Sequence, residues 1–336
     1  EAILAYNGVS LEPDQVLLGA GSTGCLIAVA DALTGPGRAV VTDWPIYKIF
    51  LNRVEQNGGR VIRVPQTPGR TIDYTGILDA LAENPDARLV HLNVINNPVG
   101  TPMDRETFDP FAREVFARFP EVVILADDSD REYADPEVQA KLPRIAEYVA
   151  AGENVIHVQT FSHIFGLTGL RIGYAFVPSH LVSPLRSRAI FGAVSLPSAA
   201  AAHASLLDAD AQIARASAYN AEGRNFLYDA FAARGLSAIP SQGAYLLVDV
   251  ERDSTVVFLS MMARRVLIRD AKEWGFSRMI RVNPGLPEEN ERFLAALDRV
   301  LSQRSSCLTL PEFLDTVEGK RAFVAARRLF PGFTLW

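Results

Sequence analysis

An imidazole, a guanidinium and several hydroxyls share one short run: Thr160-Phe161-Ser162-His163-Ile164-Phe165-Gly166-Leu167-Thr168-Gly169-Leu170-Arg171-Ile172-Gly173-Tyr174. Imidazole gains and loses a proton near neutral pH, which makes His163 a candidate general acid or base. A second run, Gly19-Ala20-Gly21-Ser22-Thr23-Gly24, follows a strand-like stretch and opens a helix expected to begin near Cys25. Backbone N–H groups at such a helix start, helped by the helix dipole, form an anion site. Taken alone, the turn reads equally well as a tight strand-to-helix connection that glycine permits. Arg281, in Met279-Ile280-Arg281-Val282-Asn283-Pro284-Gly285, carries a planar fork of donors that suits a carboxylate better than an ammonium does. Trp44, in Thr42-Asp43-Trp44-Pro45-Ile46-Tyr47, offers an indole face for stacking, with a core position as the competing reading.

Short, mostly apolar runs precede these residues and predict strands at 15–19, 39–42, 60–64, 89–94, 122–126, 155–159 and 172–176. Their alternation with helical stretches points to an α/β fold with a largely parallel sheet. The carboxyl ends of such strands are where open α/β sheets place their ligands, and the candidate residues cluster there. A long helical stretch at 212–235 leads to a smaller α+β domain, with strands at 244–250 and 279–282 and a last helix at 288–302. Residues 310–330 have helical periodicity, and Phe330, Phe333 and Trp336 look like packing anchors.

The 336 residues are enough for two packed domains. With 49% apolar and 21% charged residues the chain is an ordinary globular one. A net charge of -6 and the lack of a Lys/Arg block argue against a nucleic-acid footprint. Cys25 and Cys307 fit neither a disulfide framework nor a metal knuckle, so buried thiols are expected. No apolar run is long enough to span a membrane. The opening Glu1-Ala2-Ile3-Leu4-Ala5-Tyr6 lacks Met and reads as the middle or end of a helix.

The His163 run resembles the signature of fold-type I aminotransferases that use pyridoxal 5'-phosphate (PLP), especially the branch related to histidinol-phosphate aminotransferase. The resemblance covers roughly residues 1–302. It implies a large domain with a mainly parallel sheet at 13–211, a small α+β domain at 212–302, a remnant of an N-terminal segment at 1–12 and an extra helical tail at 303–336. It further implies a phosphate site from Gly21, Ser22, Thr23, Thr160, Ser162 and Arg171, the last pairing bidentately. Trp44 would stack on the pyridine ring. Asn97, in Asn97-Pro98-Val99-Gly100, would bond the ring's 3'-oxygen, although Asn-Pro is also a common loop starter. Asp127 would keep the ring nitrogen protonated, and Arg281 would clamp a substrate carboxylate. The family has lysine where this chain has His163, and a tyrosine where it has Asp130. A shifted register would instead pair Asp130 with Tyr133; a ring-nitrogen partner belongs at the strand end, which favours Asp127.

Lysine tethers the cofactor covalently, and imidazole cannot. Three readings follow. In the first, PLP or pyridoxamine phosphate (PMP) is bound noncovalently, the substrate is an amino or keto acid, and His163 moves the proton in an elimination, dehydration, cyclisation or half-transamination. In the second, Asp127, Asp130 and His163 hold Fe(II), Mn(II) or Zn(II). In the third, the protein is a non-catalytic binder of a phosphate ligand. A homodimer and a cytoplasmic location are expected from the family, with no nucleic-acid or membrane partner.

Overall fold

The computed structural model describes residues 1–190 and 192–329; the anchors expected at Phe330, Phe333 and Trp336 lie outside the described residues. By contacts the chain divides into two compact units, one made of Glu1–Asn97 and Thr101–Ala218, the other of Pro98–Gly100 and Tyr219 onward. The division falls inside the helix Ala209–Ala232, as does the expected boundary at 211–212.

The first unit is built on a seven-stranded sheet in the order β1-β7-β6-β5-β4-β2-β3. Its strands are β1 (Val16–Gly19), β2 (Ala39–Trp44), β3 (Arg60–Pro65), β4 (Ala87–Asn93), β5 (Val123–Asp127), β6 (Val155–Thr160) and β7 (Gly173–Phe176). All neighbours pair in parallel except β7, which runs antiparallel to both β1 and β6. The central strands β5 and β6 are buried at every position, whereas the edge strand β3 is buried at only one. That is the pattern of a parallel sheet covered on both faces. Alternate residues feed two separate cores: Val41, Val90, Ile124 and Val155 on one face, and Val40, Leu89, Leu125 and Ile156 on the other. Side chains that alternate across a pleat allow nothing else once both faces are apolar.

The register sets the polar strand ends in a row. Gly19 of β1 pairs with Gly173 of β7, Gly173 pairs with Thr160 of β6, and Asn93 of β4 pairs with Asp127 of β5. The helix Gly21–Leu33 starts directly behind β1, four residues before the expected Cys25. Gly21, with φ 73°, reverses the chain at once and leaves Ser22 and Thr23 in the first turn.

In the second unit a four-stranded antiparallel sheet has the order β10-β11-β9-β8, with β8 at Ser237–Ala238, β9 at Leu246–Asp249, β10 at Arg269–Asp270 and β11 at Met279–Val282. Strands β8 and β10 escape sequence reading because two residues carry no period. The helix Ser254–Ala263 is buried nearly all round. Val257 and Met261 join the core under this sheet, while Val256, Leu259 and Met262 meet Phe313, Ala322 and Ala326 of the C-terminal helices. Those helices, Leu310–Asp315 and Val317–Leu329, break at Thr316 where one helix was expected; the Thr316 hydroxyl bonds the Phe313 carbonyl and caps the Gly319 N–H. Cys25 is buried, but Cys307 is exposed, contrary to expectation, because its neighbour Ser306 takes the buried slot of that short turn. Among the described residues no helix is long and apolar enough to cross a membrane.

Phe313 is fully buried. Phe313→Ala should destabilise the second unit by about 3–5 kcal/mol, measured as a lowered denaturant midpoint.

Candidate active site

Three segments converge at the amino end of β7. A Cβ on Gly173 would lie 2.5 Å from the Ser22 nitrogen and 2.6 Å from the Gly21 carbonyl carbon, and one on Gly21 would lie 2.5 Å from Arg171 Nη2. Gly173 is therefore fixed by close approach of backbone, and Gly21 by its φ of 73°. Arg171 lies across the start of the helix Gly21–Leu33. Its Nη2 donates to the Ala20 carbonyl (3.2 Å), and its Nη1 donates to Ser162 Oγ (3.2 Å) and the Thr168 carbonyl (2.9 Å). The Arg171 backbone is left-handed, with φ 50°. That conformation costs a residue with a Cβ about 1–2 kcal/mol, which those three bonds help to offset. Thr160 Oγ1 accepts from the Ser162 N–H at 3.1 Å. Gly21, Ser22, Thr23, Thr160, Ser162 and Arg171 thus gather at one place, a helix N-terminus with a cation and hydroxyls beside it, which is a setting for an anion.

Asp127 closes β5 and is buried. Its Oδ1 accepts from Ser129 N–H (3.2 Å) and Ser129 Oγ (2.5 Å). Burial raises its carboxyl to about 6, against the pull of Ser129 and with a push from Asp130. Three residues on, Asp130 is also buried, and its Oδ1 takes the Nδ1–H of His163 at 2.8 Å; the Ser129 carbonyl shares that proton at 3.1 Å. The His163 side chain remains 39% exposed. Burial by itself lowers its pKa, but Asp130, Asp127 and the Ser129 carbonyl together outweigh it and push it up to about 9. At neutral pH His163 is an imidazolium whose Nε2 has no hydrogen-bond partner among the described residues.

The turn that carries these carboxylates rests on a buried network. Asp128 Oδ2 accepts from Arg131 Nε (2.6 Å) and His157 Nε2 (2.9 Å), and Arg131 Nη2 donates to the Pro143 carbonyl. Burial holds His157 below its ordinary pKa, so it stays neutral. The N-terminal helix Ala2–Asn7 fastens from beneath: Tyr6 donates to Glu132, Asn7 donates to the Tyr174 hydroxyl, and the Tyr6 ring meets Phe165 edge-on at 5.9 Å. None of these supports was legible beforehand, since an Asp-rich run does not reveal which carboxylate points where.

The other expected residues are placed as follows. Trp44 ends β2, half-buried, with the Arg63 guanidinium 5.1 Å above its ring. Asn97 lies in the turn after β4 and is half-buried. Its neighbour Asn96, which the sequence did not single out, donates to Asp43 Oδ2 (3.0 Å) and the Pro45 carbonyl (2.9 Å), bracing the Trp44–Pro45 turn. Burial pushes Asp43 up to about 7, although Gln66 and Asn96 bond it. Arg281 belongs to the second unit, where its guanidinium lies over the rings of Tyr245 (5.0 Å) and Trp274 (5.3 Å).

The metal alternative is corrected. Asp130 is committed to His163 and Asp127 to Ser129, and among the described residues no three His, Cys, Asp or Glu side chains meet as a metal site.

The fold is that of a fold-type I aminotransferase. Residues 1–297 match the family model "Aminotransferase class I and II", and the chain belongs to that family. It is 33% identical over 304 residues to a histidinol-phosphate aminotransferase of Moorella thermoacetica, covering 90% of this chain and 75% of that protein. A second, from Akkermansia muciniphila, is 34% identical over 302 residues, covering 89% and 79%. The crystal structure of the Sinorhizobium meliloti enzyme in complex with pyridoxal-5'-phosphate superposes with a TM-score of 0.78 at 27% identity, over 89% of this chain and 79% of that one.

Asp130→Asn should lower the His163 pKa from about 9, because the two largest causes that raise it leave with the carboxylate. The sign follows: the wild-type pair adds stability that is complete below pH 6.5 and fades as pH rises through 9. NMR titration of the imidazole checks both, and an unmoved pKa would contradict the pairing.

Proposed function

We propose that this protein binds PLP or PMP without a covalent tether and acts on an amino or keto acid, with His163 as its acid and base. The observation that supports this most is the seat formed where Arg171 crosses the start of the helix Gly21–Leu33 beside Ser162. The residues fit a phosphorylated ring on two counts. Gly21 and Gly173 let the helix start, Arg171 and β7 come together more closely than side chains would permit, and the buried Asp127 keeps Oδ2 beyond the oxygen that Ser129 engages.

When bound, PLP supplies an electron sink for charge that develops on the substrate carbon. Arg171, Ser162 and Thr160, with Gly21, Ser22 and Thr23, hold the phosphate. Asp127, ionised above about pH 6, holds the proton on the ring nitrogen; Trp44 stacks, and Asn97 meets the 3'-oxygen. Arg281 holds the substrate carboxylate. His163 is charged at rest, so it is an acid at Nε2 and becomes a base only once that proton has left. The reaction proposed is an elimination, dehydration, cyclisation or one half of a transamination rather than a full transamination cycle.

A second copy of the chain completes the reading. On the helix Leu196–Leu207 the side chains of Leu196 and Leu207 are 86% and 76% exposed, and nearby in sequence Ile190 is 73% exposed. Apolar surface of this kind supports a homodimer.

Titration with PLP should give a saturable absorbance change above the protein band. Borohydride reduction should then leave the peptide containing His163 at its unmodified mass. Arg171→Ala should weaken PLP about tenfold or more, as loss of a charge-assisted bond does. A reduced adduct, or no spectral change at saturating PLP, would end this reading.

A further inference from the structure

The second unit contains an arrangement around Arg281 that resemblance does not supply. In the sheet order β10-β11-β9, Arg281 of β11 stands opposite Arg269 on one side and Leu247 on the other. Like charges directly opposite each other on a sheet repel, so the pair needs a compensation. Two features provide it. Arg269 donates through Nε to Glu273 at 2.7 Å, which neutralises it. The Trp274 ring takes the Arg269 guanidinium at 5.7 Å and the Arg281 guanidinium at 5.3 Å. From the opposite neighbour, Tyr245, the residue just before β9, puts its ring 5.0 Å from Arg281. Both rings are buried, each only 3% exposed.

Trp274 is an expensive way to fill this space. Its Nε1–H is buried with no hydrogen-bond partner among the described residues, and an orphaned donor of that kind is destabilising. A phenylalanine or leucine would avoid that cost. The ring faces, rather than the N–H, are then what Trp274 contributes, and both faces-to-cation contacts converge on Arg281 and its neighbour.

We infer that Trp274 and Tyr245 are positioning residues that hold the Arg281 guanidinium in a fixed plane, so that its fork meets a carboxylate without first being ordered. This rests on the reading of Arg281 as the carboxylate-holding group. A long side chain fixed before binding loses little rotamer freedom on binding, and a guanidinium against desolvated aromatic faces is held by cation–π attraction. The inference separates the two rings from the many buried aromatics that merely pack, because it assigns them an effect on a ligand they do not touch.

The test measures the dissociation constant of 2-oxoglutarate by calorimetry on the full chain with saturating PMP. Arg281→Gln should weaken binding at least about tenfold. Trp274→Leu and Tyr245→Leu should each weaken it about five- to tenfold, and Trp274→Phe, which restores a ring face, should stay within about twofold of wild type. Combined with Arg281→Gln, Trp274→Leu should add nothing further, since the two act through one group. If Arg281→Gln leaves affinity unchanged, the carboxylate reading of Arg281 itself fails. If Arg281→Gln weakens binding while both leucine variants stay within about twofold, or if Trp274→Phe is as weak as Trp274→Leu, the positioning role is overturned. Thermal midpoints of the two leucine variants serve as the control for folding, and Tyr245→Leu decides should Trp274→Leu not fold.

Discussion

The close approach of three chain segments at Gly173 is the constraint on which the candidate site depends. With no Cβ at that residue, the start of β7 can touch the first turn of the helix behind β1, and the antiparallel pairing of β7 with β1 and β6 brings Gly19 and Thr160 to either side of it. Arg171 can then reach over Gly21 to Ala20. Any side chain at Gly173 would push the helix start away from the hydroxyl-bearing end of β6. The anion seat would open even though every polar residue in it remained.

His163 and Asp130 act as one unit. Burial alone would pull the imidazole toward neutrality, and the carboxylate beside it keeps it charged. Together they form a hydrogen-bonded ion pair, with the Ser129 carbonyl sharing the same proton. The buried Asp128–His157–Arg131 cluster fixes the turn from below, so the pair sits on a rigid base.

Much of this was legible in the sequence, and the reason differs from part to part. The central strands of the first unit were readable because burial on both faces makes each a short apolar run; the order of the strands was not. Glycines and the arginine of the His163 run identified the seat because close approach and a planar fork leave little choice of residue. What stayed hidden depends on side-chain direction. Asp127, Asp128 and Asp130 are alike as letters, yet one accepts from Ser129 at the end of β5, one enters a buried network and one pairs with His163. Asn96, which no motif singled out, braces the Trp44–Pro45 turn by the direction of its amide. The exposure of Cys307 and the break at Thr316 were missed for the same reason: a short turn assigns burial by local geometry, which no period reports.

One feature of the second unit reaches beyond the site. The helix Ser254–Ala263 carries apolar residues around its whole circumference, a composition suited only to a helix enclosed on every side. Its outer face is enclosed by residues from Phe313 onward, beyond the stretch that matches the family model. Without those downstream helices Val256, Leu259 and Met262 would form one exposed apolar strip, so the solubility of this helix is tied to the C-terminal segment that covers it.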